Sequence, residues 1–127
     1  MDATQAEMLV VKYIEAYNFL NVPGMLACLH TDVKFEHSTN GDVTVRLDGK
    51  AAFEAQATRA AAWFMERNQY ITAFRWQDEQ AEVDIDYFAI TATDLPNGIK
   101  PGTILQFSGR SVFTFRDELI AFIQDFS

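Results

Sequence analysis

The stretch DVKFEH, residues 32–37, reads as a strand that ends in an imidazole. Side chains alternate along a strand, so Val33, Phe35 and His37 share one face while Lys34 and Glu36 take the other. A histidine exchanges protons near neutral pH, and one that shares a face with a valine and a phenylalanine is either a hydrogen-bonded core residue or a base in a pocket. Two phenols stand in comparable surroundings. Tyr13 and Tyr17 lie one turn apart on the apolar stripe formed by Ala6, Leu9, Val10 and Leu20. A buried phenol usually keeps a hydrogen-bond partner, so each is either a large core residue or a polar spot in an apolar pocket. Ser111, in FSGRSVFTF, alternates with Phe107, Gly109, Phe113 and Phe115, and among rings its hydroxyl must meet a backbone partner or a ligand.

Other ionisable residues read more blandly. Asp84 and Asp86 alternate with Val83, Ile85 and Tyr87. If the apolar set faces inward, both carboxylates face solvent, unless a bulge within DYFAIT swaps the faces. His30 is expected at the C-terminus of a short helix, where an imidazolium suits the dipole. Two histidines and the single Cys28, without an HxxxH or HExxH spacing, make no metal site. No glycine-rich phosphate loop is present, and the GxSxG elbow is absent.

The elements that must position these residues follow from periodicity. Asp2 and Gln5 form a capping-box start to a helix over residues 3–20. Asn21 caps a second, short helix through VPGMLACL. DVKFEH, the turn STNGD and the segment VTVRLDG form a first hairpin. From Lys50 to about Arg67 the chain is alanine-rich and free of Gly and Pro, which predicts a third helix carrying Phe53, Ala57, Ala60 and Phe64 near one face with Trp63 beside it. YITAFRWQ and AEVDIDYFAITAT, then TILQFSGRSVFTF and LIAFIQDF, are four longer strands, with the turn-rich loop DLPNGIKPG between the pairs.

At 127 residues the chain is expected to be one domain, residues 1–127, with a real core. Its formal net charge of −8 lacks the basic footprint that nucleic acid or an anionic membrane would require. Eleven phenylalanines can fill a core or line an apolar cavity. The N-terminal stretch shows no basic leader and no uninterrupted apolar run, so the expectation is a cytoplasmic protein without a membrane span.

The order of elements resembles the nuclear transport factor 2-like fold. KYIEAYNFLNVPGMLACLHTDVKFEH is similar to the corresponding segment of ketosteroid isomerases, and GRSVFTFRDELIAFIQDFS resembles the closing hairpin of the SnoaL-like group. The resemblance implies an α+β, cystatin-like cone: a half-barrel in which three helices pack on a strongly curved, mainly antiparallel sheet. It places Tyr13 where ketosteroid isomerases keep a tyrosine oxyanion donor. His37 stands where they keep an aspartate base, and Ser111 where they keep a protonated aspartate. Since one of those three residues matches in type, steroid isomerisation itself is not implied. Relatives that hydrolyse epoxides with Asp and Arg raise Asp86 as a further candidate.

What the resemblance implies is a small acid–base enzyme needing neither metal nor organic cofactor. It would isomerise, dehydrate or cyclise an apolar, cyclic small molecule. His37 would move a proton, Tyr13 and Ser111 would steady an oxyanion, and Tyr17, Phe35, Trp63, Phe107 and Phe113 would line the pocket. The second reading is a non-catalytic ligand-binding or protein-interaction module. Either form is expected to pair as a homodimer through an outer sheet face showing Ile104, Gln106, Arg110, Val112 and Thr114.

Overall fold

A computed structural model describes residues 1–127. Helix α1 spans Ala3–Asn18, and its first turn is closed by the reciprocal bonds of a capping box. The Gln5 amide donates to Asp2 Oδ1 at 2.8 Å, and the Asp2 amide donates to Gln5 Oε1 at 2.9 Å. Helix α2 is a single turn, Val22–Leu26, capped by the Asn21 side chain. Strand β1 runs Leu29–Thr39, β2 Asp42–Asp48, helix α3 Lys50–Ala61, β3 Phe64–Gln77, β4 Gln80–Thr91, β5 Ile104–Arg116 and β6 Leu119–Phe126.

The six strands form one sheet in the order β2-β1-β6-β5-β4-β3. Every neighbouring pair is antiparallel except β1 with β6, which run parallel. The sheet does not close on itself. Register shifts between His37 and Ser38, between Ile71 and Ala73, and between Thr114 and Phe115 insert extra residues that bend the strands. Such bending lets the sheet wrap around the helices as an α+β cone. Glycine 109 contributes in another way. A Cβ there would come within 2.8 Å of the Phe126 carbonyl oxygen, so the close approach of β5 to β6 requires its absence.

The core lies between the concave face and the helices. Val10, Tyr13 and Ile14 of α1 meet Phe53 and Ala57 of α3, and from the sheet Val33, Val83, Phe113 and Ile123. The Tyr13 ring stands edge-on to Phe113 with centroids 5.9 Å apart. No helix is long and apolar enough to cross a membrane.

Two expectations need correction. Helix α3 ends at Ala61, not near Arg67, and residues from Phe64 onward are strand. Helix propensity is a weak prior here. Extending α3 to Arg67 would leave the Phe88–Thr91 end of β4 without the partners that Phe64–Asn68 supply. His30 caps no helix: α2 stops four residues earlier, and the parallel pairing of Leu29 with Ile120 draws His30 into β1. Its imidazole instead meets Asp117 Oδ2 at 3.2 Å and the Arg116 guanidinium. The alternation of β4 holds as expected: it pairs with β5 without interruption from Gln80 to Ile90, so the bulge that would have swapped its faces is absent from that ladder. Val83 and Ile85 are buried, and Asp84 and Asp86 take the outer face.

Candidate functional site

A cavity of about 340 Å³ opens between the concave face of the sheet and the helices. Its wall is mostly apolar, with Phe35, Phe53, Trp63 and Phe113 among its rings and Leu95 reaching in from the loop between β4 and β5. Phe107, 47% exposed, stacks on Tyr87 at a centroid distance of 4.6 Å and forms part of the rim. All eight residues expected at a pocket line this cavity: Tyr13, Tyr17, Phe35, His37, Trp63, Phe107, Ser111 and Phe113.

Their polar atoms divide into two groups, at positions set by the strand registers. On β1, β6 and β5 the residues His37, Asp125 and Ser111 stand side by side, since Asp125 pairs with both others. The Ser111 hydroxyl donates to Asp125 Oδ1 at 2.6 Å. His37 Nε2 lies 3.1 Å from the Ser127 hydroxyl. Burial raises the Asp125 carboxyl above its usual range, and the Ser111 hydrogen bond and the nearby His37 only partly offset this. The Tyr13 hydroxyl has no hydrogen-bond partner in the protein, although its ring lines the cavity. Burial pushes the Tyr13 phenol well up, and the Asp125 charge adds to that shift, so the phenol stays a proton donor.

The second group surrounds Tyr17. Its hydroxyl lies 3.1 Å from the Tyr87 hydroxyl. Burial raises both phenols. Arg67, only 2% exposed, donates from Nε to the Tyr17 carbonyl oxygen at 2.9 Å and places its guanidinium 3.7 Å from the Tyr17 ring centroid.

Sequence reasoning missed Asp125, Arg67 and Tyr87 as cavity polar groups. The signal for Asp125 was present, because alternation in LIAFIQDF sets it on the same face as Ile123, a buried residue. Arg67 was hidden by the helix expectation. Asp84 is far from this chemistry. On the outer face Arg75 grips it through two bonds of 2.8 and 3.0 Å and also binds Glu82 at 2.9 Å. Asp86 accepts a bond from Ser108 at 2.9 Å. No three His, Cys, Asp or Glu side chains converge at metal-binding distance.

Comparison with known proteins agrees with this architecture. A family model described as a SnoaL-like domain matches residues 10–123. A candidate polyketide cyclase from Xanthomonas campestris pv. campestris is similar in structure, with a TM-score of 0.83 at 22% identity over 98% of this chain and 90% of that one. AclR, a candidate hydroxylase from Streptomyces galilaeus, superposes with a TM-score of 0.78 at 13% identity, covering 98% and 89% of the two chains. A protein of ketosteroid isomerase-like fold from Catenulispora acidiphila, in complex with trimethylamine, gives a TM-score of 0.76 at 15% identity over 94% and 84%. A search of curated proteins finds no match. At these identities the structural likenesses speak for the fold. On the family model, matched over most of its length, the chain belongs to the SnoaL-like domain family within the nuclear transport factor 2-like superfamily.

Proposed function

We propose that the chain is an acid–base enzyme that enolises, and thereby isomerises, dehydrates or cyclises, an apolar cyclic carbonyl compound held in the cone. The carrying observation is the Ser111–Asp125 pair: a carboxyl with a raised pKa, in the wall of an apolar cavity, beside a phenol whose hydroxyl has no protein partner. A carboxylate whose pKa is raised by burial is a stronger base than a free one, and its conjugate acid can return the proton it took.

In this reading Asp125 has the part that the resemblance suggested for His37. Its carboxylate takes a proton from the carbon next to the carbonyl. The C–H electron pair moves into the forming C–C double bond, and negative charge develops on the carbonyl oxygen. The Tyr13 hydroxyl donates to that oxygen. The enolate then takes the proton back at another carbon, expels a leaving group or attacks a second carbonyl. Ser111 spends its proton on Asp125, so it tunes the base rather than holding the oxyanion. His37 stands beside Asp125 and favours its ionised form.

The test uses 2-tetralone, an apolar bicyclic ketone, in deuterated water. The protein is expected to speed deuterium uptake at the α-carbons, followed by NMR, and Asp125→Asn to remove that acceleration. If 2-tetralone binds, read from quenching of Trp63 fluorescence, yet exchanges at the buffer rate, the cavity is a non-catalytic binding site and the enzyme reading fails.

A further inference from the structure

Arg67 is a buried cation without a counter-ion. It belongs to no salt bridge in the molecule, while seven other ion pairs are formed, all of them by other residues. Of its five N–H donors, one serves the Tyr17 carbonyl, and Nη2 has only the Met25 sulfur at 3.9 Å. Nη1 has no hydrogen-bond partner at all, and no side-chain nitrogen that is fully enclosed lacks one, so Nη1 opens onto the cavity that Arg67 lines. The Tyr17 carbonyl belongs to the last turn of α1, where a cation is favoured, and the ring beneath the guanidinium adds a cation–π contact. These contacts hold the guanidinium in place without neutralising it. Leaving a buried charge unpaired is costly unless something else pairs with it.

We propose that Arg67 is an anion subsite: the molecule bound in the cone is an apolar cyclic monoanion whose carboxylate pairs with the Arg67 guanidinium. A planar fork of free donors suits a carboxylate. One guanidinium balances one negative charge, and the chain's net charge of −8 disfavours a polyanion. Arg110, which also borders the cavity, is already taken, since it pairs with Glu82 and stacks on Phe126. The Tyr17 and Tyr87 hydroxyls stand near Arg67; one spends its proton on the other, which leaves the pair one further donor. This inference rests on the proposed use of the same cavity. It adds a polarity to it, with the anion held at Arg67 and the reacting carbon at Asp125.

The test compares 2-naphthoate with 2-naphthamide, which differ in charge but hardly in shape. Calorimetry on the wild-type protein is expected to show the carboxylate bound about ten- to a hundredfold more tightly, the range of one charge-assisted contact. In Arg67→Met that ratio is expected to fall to about one. Because Arg67 also ties down α1, a second measurement needs no variant. In the wild-type protein, 15N spectra of the arginine side chains should show the Arg67 guanidinium signal moving with 2-naphthoate and not with 2-naphthamide. Equal affinities, or an Arg67 signal indifferent to naphthoate, overturn the subsite. Deuterium exchange of 2-tetralone by the wild-type protein separates the two proposals. Exchange without carboxylate preference sinks the anion subsite alone. Carboxylate preference without exchange leaves the subsite standing and sinks the catalysis.

Discussion

The two faces of the sheet treat charge in opposite ways. Outside, Arg75, Glu82, Asp84 and Arg110 form a closed network in which every charged group has an opposite partner within 3.3 Å. Arg75 lowers Asp84 by hydrogen bonding, and it lowers Glu82 with help from Arg110. Inside, Asp125 has a serine for its partner and Arg67 a carbonyl and a ring, and burial raises the carboxyl. Paired charges on a wet surface are cheap and contribute little. Unpaired ones in an apolar wall are expensive, and folding alone gives no reason to keep them. The contrast teaches where to look for function: at the inner groups that lack counter-ions, not at the densest cluster of charge.

The largest effect expected from breaking this contrast is catalytic. Asp125→Asn should lower the 2-tetralone exchange rate by about a hundredfold or more, the usual contribution of a positioned base. Asp84→Asn, the same change on the outer face, should leave exchange at the wild-type rate. An equal loss in both variants would dissolve the distinction.

Ser111→Ala sharpens it. The serine hydrogen bond lowers the Asp125 pKa, so its loss should move the pH at which exchange switches on to a higher value. A pH–rate profile that does not move would mean that Ser111 does not tune the base.

A third expectation concerns stability. Because the Asp125 pKa is raised on folding, the folded state binds this proton more tightly than the unfolded chain does. Its contribution is therefore fully present below the ordinary aspartate range and is lost as pH rises through the raised folded value. Asp84 behaves oppositely. Its pKa is lowered, so its contribution is present above the ordinary aspartate range and is lost as pH falls. At neutral pH Asp125→Asn should stabilise the protein by on the order of 1 kcal/mol, the usual scale for relieving a functional site. The gain should vanish near pH 4. Urea unfolding of both proteins at the two pH values checks the sign.

The smallest effect lies away from both faces. Asp78 and Glu79, and likewise Asp117 and Glu118, have positive φ at both central turn positions, between 53° and 61°. These are mirror-image hairpin turns that favour glycine. Glu79→Gly and Glu118→Gly should each stabilise by roughly 0.5–1 kcal/mol, seen as a raised Tm, with exchange unaltered.

What the sequence determined by itself was everything carried by local period. The capping box, the inward set Val33, Phe35 and His37, the outward Asp84 and Asp86, and the β6 boundaries Leu119–Phe126 all follow from side-chain spacing along one element. Helical period likewise set Tyr13 inward, and the family resemblance added the cone. What only the tertiary structure decided was adjacency between elements far apart in the chain. The parallel pairing of β1 with β6 sets His37 beside Asp125, and the antiparallel pairing of β6 with β5 brings Ser111 to its other side. Arg67 became an inner residue because β4 needed a strand partner where helix propensity favoured more helix. Period reports which way a side chain points. Which residue it meets is fixed by backbone hydrogen bonds between strands, and no single strand contains that information.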